Sequence, residues 1–175
     1  MMKHYLFTLT LLFIACDSDD PISVQPSENN YTYTLEDLNP SSNYYNQNVG
    51  TSSFPNQITI HYFGHYSWGT CSVLYGQLNE LYENLILEGY NQVKLIGIGK
   101  SSQISFLNNW TDTGNASVCA DPDGNITWSN WGASQRDLYI LDHEGNVVFH
   151  ENISSGLPDN LESTIIDYIN LIPSF

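Results

Sequence analysis

The stretch that decides the fold is ITIHYFGHYSWGTCSVLYGQLNELYENL, residues 58–85. Its first residues, Ile58 to Phe63, are β-branched and aromatic, which predicts a buried strand. Gly64 then opens a loop. From about Cys71 to Leu87 leucines recur at helical spacing on one face, and Gly89 marks the expected end of that helix. The stretch therefore predicts a strand, a loop and a helix in direct succession.

A second strand and a short helix are predicted directly after this unit. Val93 to Ile98 is again rich in β-branched residues, which indicates a strand. Because a strand, a helix and a strand in one sheet need a right-handed crossover, we expect these two strands to be parallel. Ser102 is a typical capping residue for a short helix running toward Trp110.

The end of the sequence predicts a hairpin and a last helix. Leu138 to Leu141 and Val147 to Phe149 flank a turn at residues 142–145. Pro158 and the apolar residues at helical spacing after it predict a closing helix. A hairpin beside a parallel pair requires a mixed sheet. The predicted class is α/β, with a mixed central sheet of about four to five strands and helices on both faces, as in a thioredoxin-like fold.

The first residues are typical of a segment that directs export. An apolar run from Tyr5 to Ala15 is too short to cross a bilayer, so residues 1–15 are interpreted as a signal peptide. Alanine followed by Cys16 resembles the lipoprotein box, in which the cysteine receives the lipid. An ordinary secretory signal with an incidental cysteine is the alternative. We expect the protein in the cell envelope, lipid-anchored to the outer membrane or cell surface, or secreted.

Residues 16–56 are rich in Ser, Asn, Pro and Asp and show no sustained apolar period, which predicts a flexible tether. Alternation over Tyr31 to Leu35 indicates one short docked strand within it. The folded domain is predicted over residues 57–175.

Acidic residues outnumber basic ones by 19 to 4, which gives a formal net charge of −15. Such a surface repels phosphate backbones, so we expect no nucleic acid among the partners. The expected partners are a membrane, through the N-terminal lipid anchor, and a protein or a small thiol or peroxide substrate. The sequence predicts no cofactor.

The segment from Tyr62 to Cys71, together with Glu88 to Tyr90, Asp137 to Asp142 and Gly145 to His150, resembles the N-terminal domain of selenoprotein P. The similarity covers roughly the last two-thirds of the chain. It implies a redox loop whose two reactive residues, separated by two others, lie at the start of the first helix, where free amides and the helix dipole stabilise a thiolate. Cys71 matches the second position. Trp68 stands where the family has selenocysteine or cysteine, and because indole is no thiol nucleophile, dithiol exchange through this loop is excluded.

Trp68 has two further interpretations besides drift. A large exposed aromatic side chain is a favoured anchor for a protein or ligand. Alternatively, a UGA codon at this position would encode selenocysteine.

The resemblance also places Ser117 where the fold usually presents a proline opposite the redox loop, and Cys119 just beyond it. Three interpretations of Cys71 and Cys119 remain open: a structural disulfide, two buried free thiols, or a redox-active pair with Cys71 as the nucleophile. His65 is the candidate for moving a proton or orienting the sulfur.

Two functions are therefore expected from the sequence. The first is thiol, disulfide or peroxide chemistry through Cys71, and the second is a redox-inactive binding module that uses Trp68. A lesser alternative is copper or zinc handling, with His61, His65 and Cys71 as ligands and Cys119 as a further candidate.

Overall fold

A computed structural model describes residues 31–173. The predicted signal peptide, the predicted lipidation site Cys16 and the rest of the chain up to residue 30 lie outside the described residues. Among the residues described, no helix is long and apolar enough to cross a membrane.

Residues 31–173 form seven strands and four α-helices. The strands are β1 (Leu35–Glu36), β2 (Asn48–Val49), β3 (Ile58–Phe63), β4 (Val93–Lys100), β5 (Ser117–Asp121), β6 (Asp137–Leu141) and β7 (Val147–Asn152). The helices are α1 (Gly69–Leu87), α2 (Asn108–Thr111), α3 (Ile126–Trp131) and α4 (Leu161–Asn170), with 3-10 segments at Thr51–Ser53 and Ser101–Phe106.

The central sheet is mixed, as predicted. Its five strands lie in the order β5-β4-β3-β6-β7. Strand β3 is parallel to β4 and antiparallel to β6, and β5 continues the parallel part at the edge. The end of β3 therefore lies between the end of β4 and the beginning of β6. The candidate functional site is built around this junction.

Helices cover both faces of the sheet, which confirms the predicted architecture. One face carries α1 and α4, whose apolar residues Leu74, Leu78 and Ile165 pack into the same core as Trp110. The other face carries α3 and packs Phe63 and Ile96 against the α3 tryptophans. Burial of each large apolar side chain in these cores stabilises the folded state by about 1.5–3 kcal/mol relative to leaving it exposed.

Strand β5 and helix α3 are not predicted from the sequence. Both are short, and the segment that holds them has polar and turn-forming residues such as Pro122 and Gly124. The apolar period is therefore too brief to reveal either element. The helix predicted from Ser102 to Trp110 is instead a 3-10 segment followed by the short helix α2.

The packed domain begins before the predicted boundary at residue 57. Asp37 and Asn39 are fully buried. The Asp37 carboxylate Oδ1 accepts hydrogen bonds from the backbone N–H of Asn39 at 3.0 Å and of Val118 at 3.1 Å. Polar side chains rather than an apolar stripe fix this segment to the sheet, so hydrophobic patterning alone does not predict how much of it is docked.

Candidate functional site

The loop between β3 and α1 is held in place by Tyr66. The Tyr66 ring is fully buried and packs 4.9 Å from the Trp110 ring, edge to face. It lies across Gly99, where an added Cβ would come within 2.2 Å of a Tyr66 ring carbon. The side-chain amide of Asn109 donates to the Tyr66 carbonyl at 2.8 Å. A loop fixed in this way holds the next side chains in one arrangement.

Trp68 lies at the N-cap of α1, with 49% of its side chain exposed. Its backbone N–H donates to the His65 carbonyl at 3.2 Å, and its own carbonyl accepts from Ser72 at 3.1 Å. The indole meets the His65 ring edge to face at 5.4 Å. The side chain at the position of the expected nucleophile is therefore an aromatic surface open to solvent.

Cys71 lies in the first turn of α1 and is fully buried. The side-chain amide of Gln135 donates to its Sγ at 3.2 Å, and the Tyr62 hydroxyl donates to its carbonyl at 3.4 Å. The loop that faces the redox-loop position is therefore the one before β6. The expectation that Ser117 faces it is wrong, because Ser117 begins the edge strand β5.

Cys119 lies on the opposite face of the sheet from Cys71. Cys71 packs with Leu74 in the core beneath α1, whereas Cys119 packs with Phe63 in the core beneath α3. Both thiols are free and buried. Burial, reinforced by the Asp37 carboxylate, raises the pKa of the Cys119 thiol. The structural disulfide and the redox-active pair are therefore both wrong, because the sheet separates the two sulfurs. Of the three interpretations, two buried free thiols is the one observed.

His61 is a core residue rather than a ligand. Its Nδ1 is hydrogen-bonded to the Tyr33 hydroxyl at 2.8 Å and its Nε2 to the Thr59 hydroxyl at 2.9 Å. Burial lowers the pKa of His61 to about 3. The ring lies 4.8 Å from Trp131, on the face opposite Cys71. Residues 31–173 contain no group of three His, Cys, Asp or Glu side chains able to hold a metal ion, so the copper or zinc alternative is not supported.

His65 lies between two tryptophans. Its ring centroid is 5.4 Å from that of Trp68 and 5.8 Å from that of Trp128. Partial burial, then the positive charges of Lys100 and Arg136, lower the pKa of His65. Within the described chain no hydrogen bond joins His65 to Cys71, and His65 Nδ1 is buried without a partner. No direct contact therefore supports the expected role of His65 in orienting the Cys71 sulfur.

Sequence reasoning missed Lys100, Gln135 and Arg136. Lys100 ends β4, and its Nζ lies 4.3 Å from the centre of the Trp128 ring. Arg136 precedes β6 with a φ of 72°, and its backbone N–H donates to the Phe63 carbonyl at 2.7 Å. The sequence did offer one signal, because basic residues are scarce. The chain has four Lys and Arg residues, and two of them, Lys100 and Arg136, lie at the ends of predicted strands. We call the surface formed by His65, Trp68, Lys100, Trp128 and Arg136 the loop edge.

No family model matches the chain, and no curated protein matches it. Solved structures do. A secreted disulfide oxidoreductase from Mycobacterium tuberculosis shares 12% identity at a TM-score of 0.59, covering 83% of this chain and 98% of that one. The thioredoxin domain of a thiol-disulfide oxidoreductase from Bacteroides vulgatus shares 14% identity at a TM-score of 0.59, covering 79% and 94%. The mitochondrial 2-Cys peroxiredoxin from Plasmodium falciparum shares 20% identity at a TM-score of 0.61, covering 81% and 90%. The fold is therefore thioredoxin-like.

Proposed function

We propose that this chain is an exported binding protein of thioredoxin-like fold that has no dithiol exchange activity and contacts its ligand through the loop edge. The observation that carries the proposal is an exposed aromatic side chain at the position where the resemblance expects a thiol or selenol. Trp68, which the resemblance matches to the first redox residue, is 49% exposed, while Cys71 and Cys119 are both buried. A half-exposed indole on a fixed loop presents a large contact area with little side-chain entropy to lose.

The redox part of this proposal is tested with thiol chemistry. In its native state the protein should react slowly with a colorimetric disulfide reagent and should not reduce insulin in the presence of dithiothreitol beyond the uncatalysed rate. Both thiols should become reactive in denaturant, which controls for prior oxidation. Insulin reduction that disappears in Cys71→Ser would overturn the proposal.

The binding part is tested with a fragment titration of ¹⁵N-labelled protein. Fragments that bind should shift the amides of residues 64–68 and the neighbouring amides of Lys100 and Arg136. Trp68→Ala should abolish these shifts while leaving the rest of the spectrum in place. Shifts that cluster elsewhere, or that persist in the variant, would show that the loop edge is not the binding surface.

A second candidate function, single-thiol peroxide chemistry, is favoured by the contact at Cys71. The Gln135 amide donates to Cys71 Sγ at 3.2 Å, and the sulfur lies in the first turn of α1. A Cys71 thiolate that attacks hydrogen peroxide would form a sulfenic acid and release hydroxide. Trapping of a sulfenic acid at Cys71 under mild peroxide, with Cys71→Ser as the blank, is the result that would favour this candidate.

The proposal includes export and anchoring. The signal-peptide pattern over residues 1–15 and the cysteine after it support attachment of lipid at Cys16, which would place the domain in the cell envelope or at the cell surface. A radioactive fatty acid should label the wild type and leave Cys16→Ser unlabelled. The closer relation to the N-terminal domain of selenoprotein P is part of the same proposal and rests on the sequence segments that resemble it.

A further inference from the structure

The charges at the loop edge run against the charge of the chain. The sequence contains 19 acidic and 4 basic residues, yet two of the basic residues meet here: burial first, and then the positive charges of Lys100 and Arg136, lower the pKa of His65. Neither cation forms an ion pair with a carboxylate within residues 31–173. The neighbouring carboxylates are already used. Asp121 accepts a hydrogen bond from the backbone N–H of Trp128 at 3.0 Å, and Asp137 accepts from the backbone N–H of Ser134 and from the Asn152 side-chain amide.

Three polar atoms at this edge are buried without a partner in the described structure. They are Nε of Arg136, Nδ1 of His65 and the indole Nε1 of Trp128. A buried donor or acceptor without a partner carries an uncompensated desolvation cost, so a ligand that pairs with these atoms would be bound favourably. Here they belong to the same small cluster, beside an unpaired lysine.

The backbone of Arg136 is held in a conformation that non-glycine residues adopt rarely. Its φ of 72° lies in the left-handed region, which is unfavourable for a side chain with a Cβ. The conformation is fixed from both sides, since the Arg136 N–H donates to the Phe63 carbonyl and its own carbonyl accepts from Ile153 at 2.9 Å. The backbone of Arg136 is therefore held beside the end of β3 by the fold itself.

Aromatic side chains border the cations. Lys100 Nζ lies over the Trp128 ring at 4.3 Å, and the His65 ring lies between Trp128 and the exposed Trp68. The exposed Trp68 ring therefore lies on the other side of His65 from the Trp128 ring that Lys100 covers. This arrangement suits a molecule with an anionic group at one end and a flat apolar group next to it.

We propose that the loop edge binds an oxyanion, a carboxylate or a phosphate, through Lys100 and Arg136, with the adjoining flat part of the ligand on Trp68. This inference rests on the proposed binding function and names the chemical class of its ligand. Charged donors form stronger hydrogen bonds to carboxylate and phosphate than neutral donors do, and arginine matches the geometry of both groups.

The test uses benzoate and phenyl phosphate as probes and benzyl alcohol as their neutral counterpart, with affinity measured by calorimetry on the full domain. One or both anions should bind and benzyl alcohol should not. Lys100→Gln and Arg136→Gln should each weaken binding about five- to tenfold. The matched control is Lys94→Gln, which removes the same charge from the other end of β4, where Lys94 lies 5.6 Å from the Tyr44 ring, and should leave affinity unchanged.

The outcomes separate this inference from the function on which it rests. Equal weakening by all three lysine and arginine variants would show general charge attraction and would overturn the site. The site would also be overturned if benzyl alcohol bound as tightly as benzoate, or if neither anion bound. In either case, unreactive thiols in the native protein would still support the proposal that it has no dithiol exchange activity. If Arg136→Gln unfolds, Lys100→Gln against Lys94→Gln decides the question alone. Preference between benzoate and phenyl phosphate identifies the anion.

Discussion

Trp68 determines what the redox-loop position can do. In the redox loop that the resemblance implies, the exposed first residue attacks and the buried second residue resolves, and of these two positions only the second, the buried Cys71, carries a sulfur here. The loop itself remains ordered, since Tyr66 packs across Gly99 and is hydrogen-bonded through Asn109. The resemblance to a redox loop implies that one side chain, rather than a change of fold, separates this site from a dithiol.

Restoring a thiol at this position should therefore restore a reducible pair. In Trp68→Cys the new thiol would lie at the N-cap and Cys71 in the first turn, three residues on, where side chains of a helix are neighbours. We expect a disulfide that mild reductant opens, and insulin reduction above the wild-type rate. The measurement is mass spectrometry after differential alkylation, together with the insulin assay.

Ser67→Cys is the matched control for that substitution. It adds a thiol one residue earlier, outside the helix-start spacing, and should give neither the bond nor the activity. If Trp68→Cys folds and its two thiols stay unpaired under oxidising conditions, the loop does not have the geometry of a redox loop.

His61 makes stability depend on pH between the unfolded and the folded pKa. The ordinary pKa of a histidine side chain is 6.5, and the pKa of His61 falls to about 3 in the folded protein because the ring is buried. In that window the unfolded chain binds a proton that the folded chain does not, so stability rises with pH and is lost as pH falls. The loss is about 1.4 kcal/mol per pH unit at most.

The check is urea unfolding at pH 7.5 and pH 5.5, above the range in which carboxylates dominate. The wild type should lose free energy of unfolding on acidification, and His61→Gln should lose less. His143→Gln, a substitution in the hairpin turn, should behave like the wild type. If the free energy of unfolding of His61→Gln depends on pH as strongly as that of the wild type, the pH dependence comes from other groups.

At the scale of elements, the segment before β3 depends on a few polar contacts. The Asn39 side-chain amide donates to the carbonyls of Gly114 at 2.9 Å and Ala116 at 2.7 Å. These bonds join the N-terminal segment to the strand β5 side of the sheet. Asn39→Ala would leave the buried Ala116 carbonyl without this donor, so we expect a loss of about 2 kcal/mol in the free energy of unfolding.

Chemical denaturation measures this loss directly. Asn43→Ala, which truncates an exposed asparagine in the same segment, should change the free energy of unfolding by less than about 0.5 kcal/mol. Equal effects of the two substitutions would mean that the segment is not held by the buried asparagine.

How far the sequence predicts these elements follows from how each is encoded. Strand β3, helix α1, strand β4 and the β6–β7 hairpin have clear apolar periods or turn residues, and each prediction lies within a few residues of the observed position. Strand β5 is only five residues long and mixed in character, so no period marks it. Because β5 is not predicted, the resemblance matches Ser117 to the loop that faces the redox loop. The same match places Cys119 near Cys71.

The candidate site is predictable only in part for a related reason. The loop and Cys71 follow from local sequence, whereas Lys100, Gln135 and Arg136 come together through strand order. Their meeting depends on β3 lying between β4 and β6, which the sequence predicts only as a mixed sheet. No local pattern marks Gln135 as the residue that reaches the Cys71 sulfur at 3.2 Å.

At the scale of the whole molecule, the sheet divides the interior into two cores with one free cysteine each. Cys71 lies in the core that α1 and α4 cover, and Cys119 in the core that α3 and the N-terminal segment cover. No side-chain rotation carries a sulfur through a hydrogen-bonded sheet, so the two thiols meet only when the domain opens. Pairing of Cys71 with Cys119 should therefore report global unfolding.

This prediction is tested by treating the folded protein with a thiol oxidant at a series of urea concentrations. The intramolecular disulfide, detected by mass spectrometry of unreduced peptides, should be absent in buffer and should form along the same urea curve as the loss of tertiary structure. Cys119→Ser should remove the product at every concentration. A bond that forms in buffer as fast as in urea would mean that the two thiols approach each other in the native state, and the assignment of the cysteines to separate cores would then be wrong.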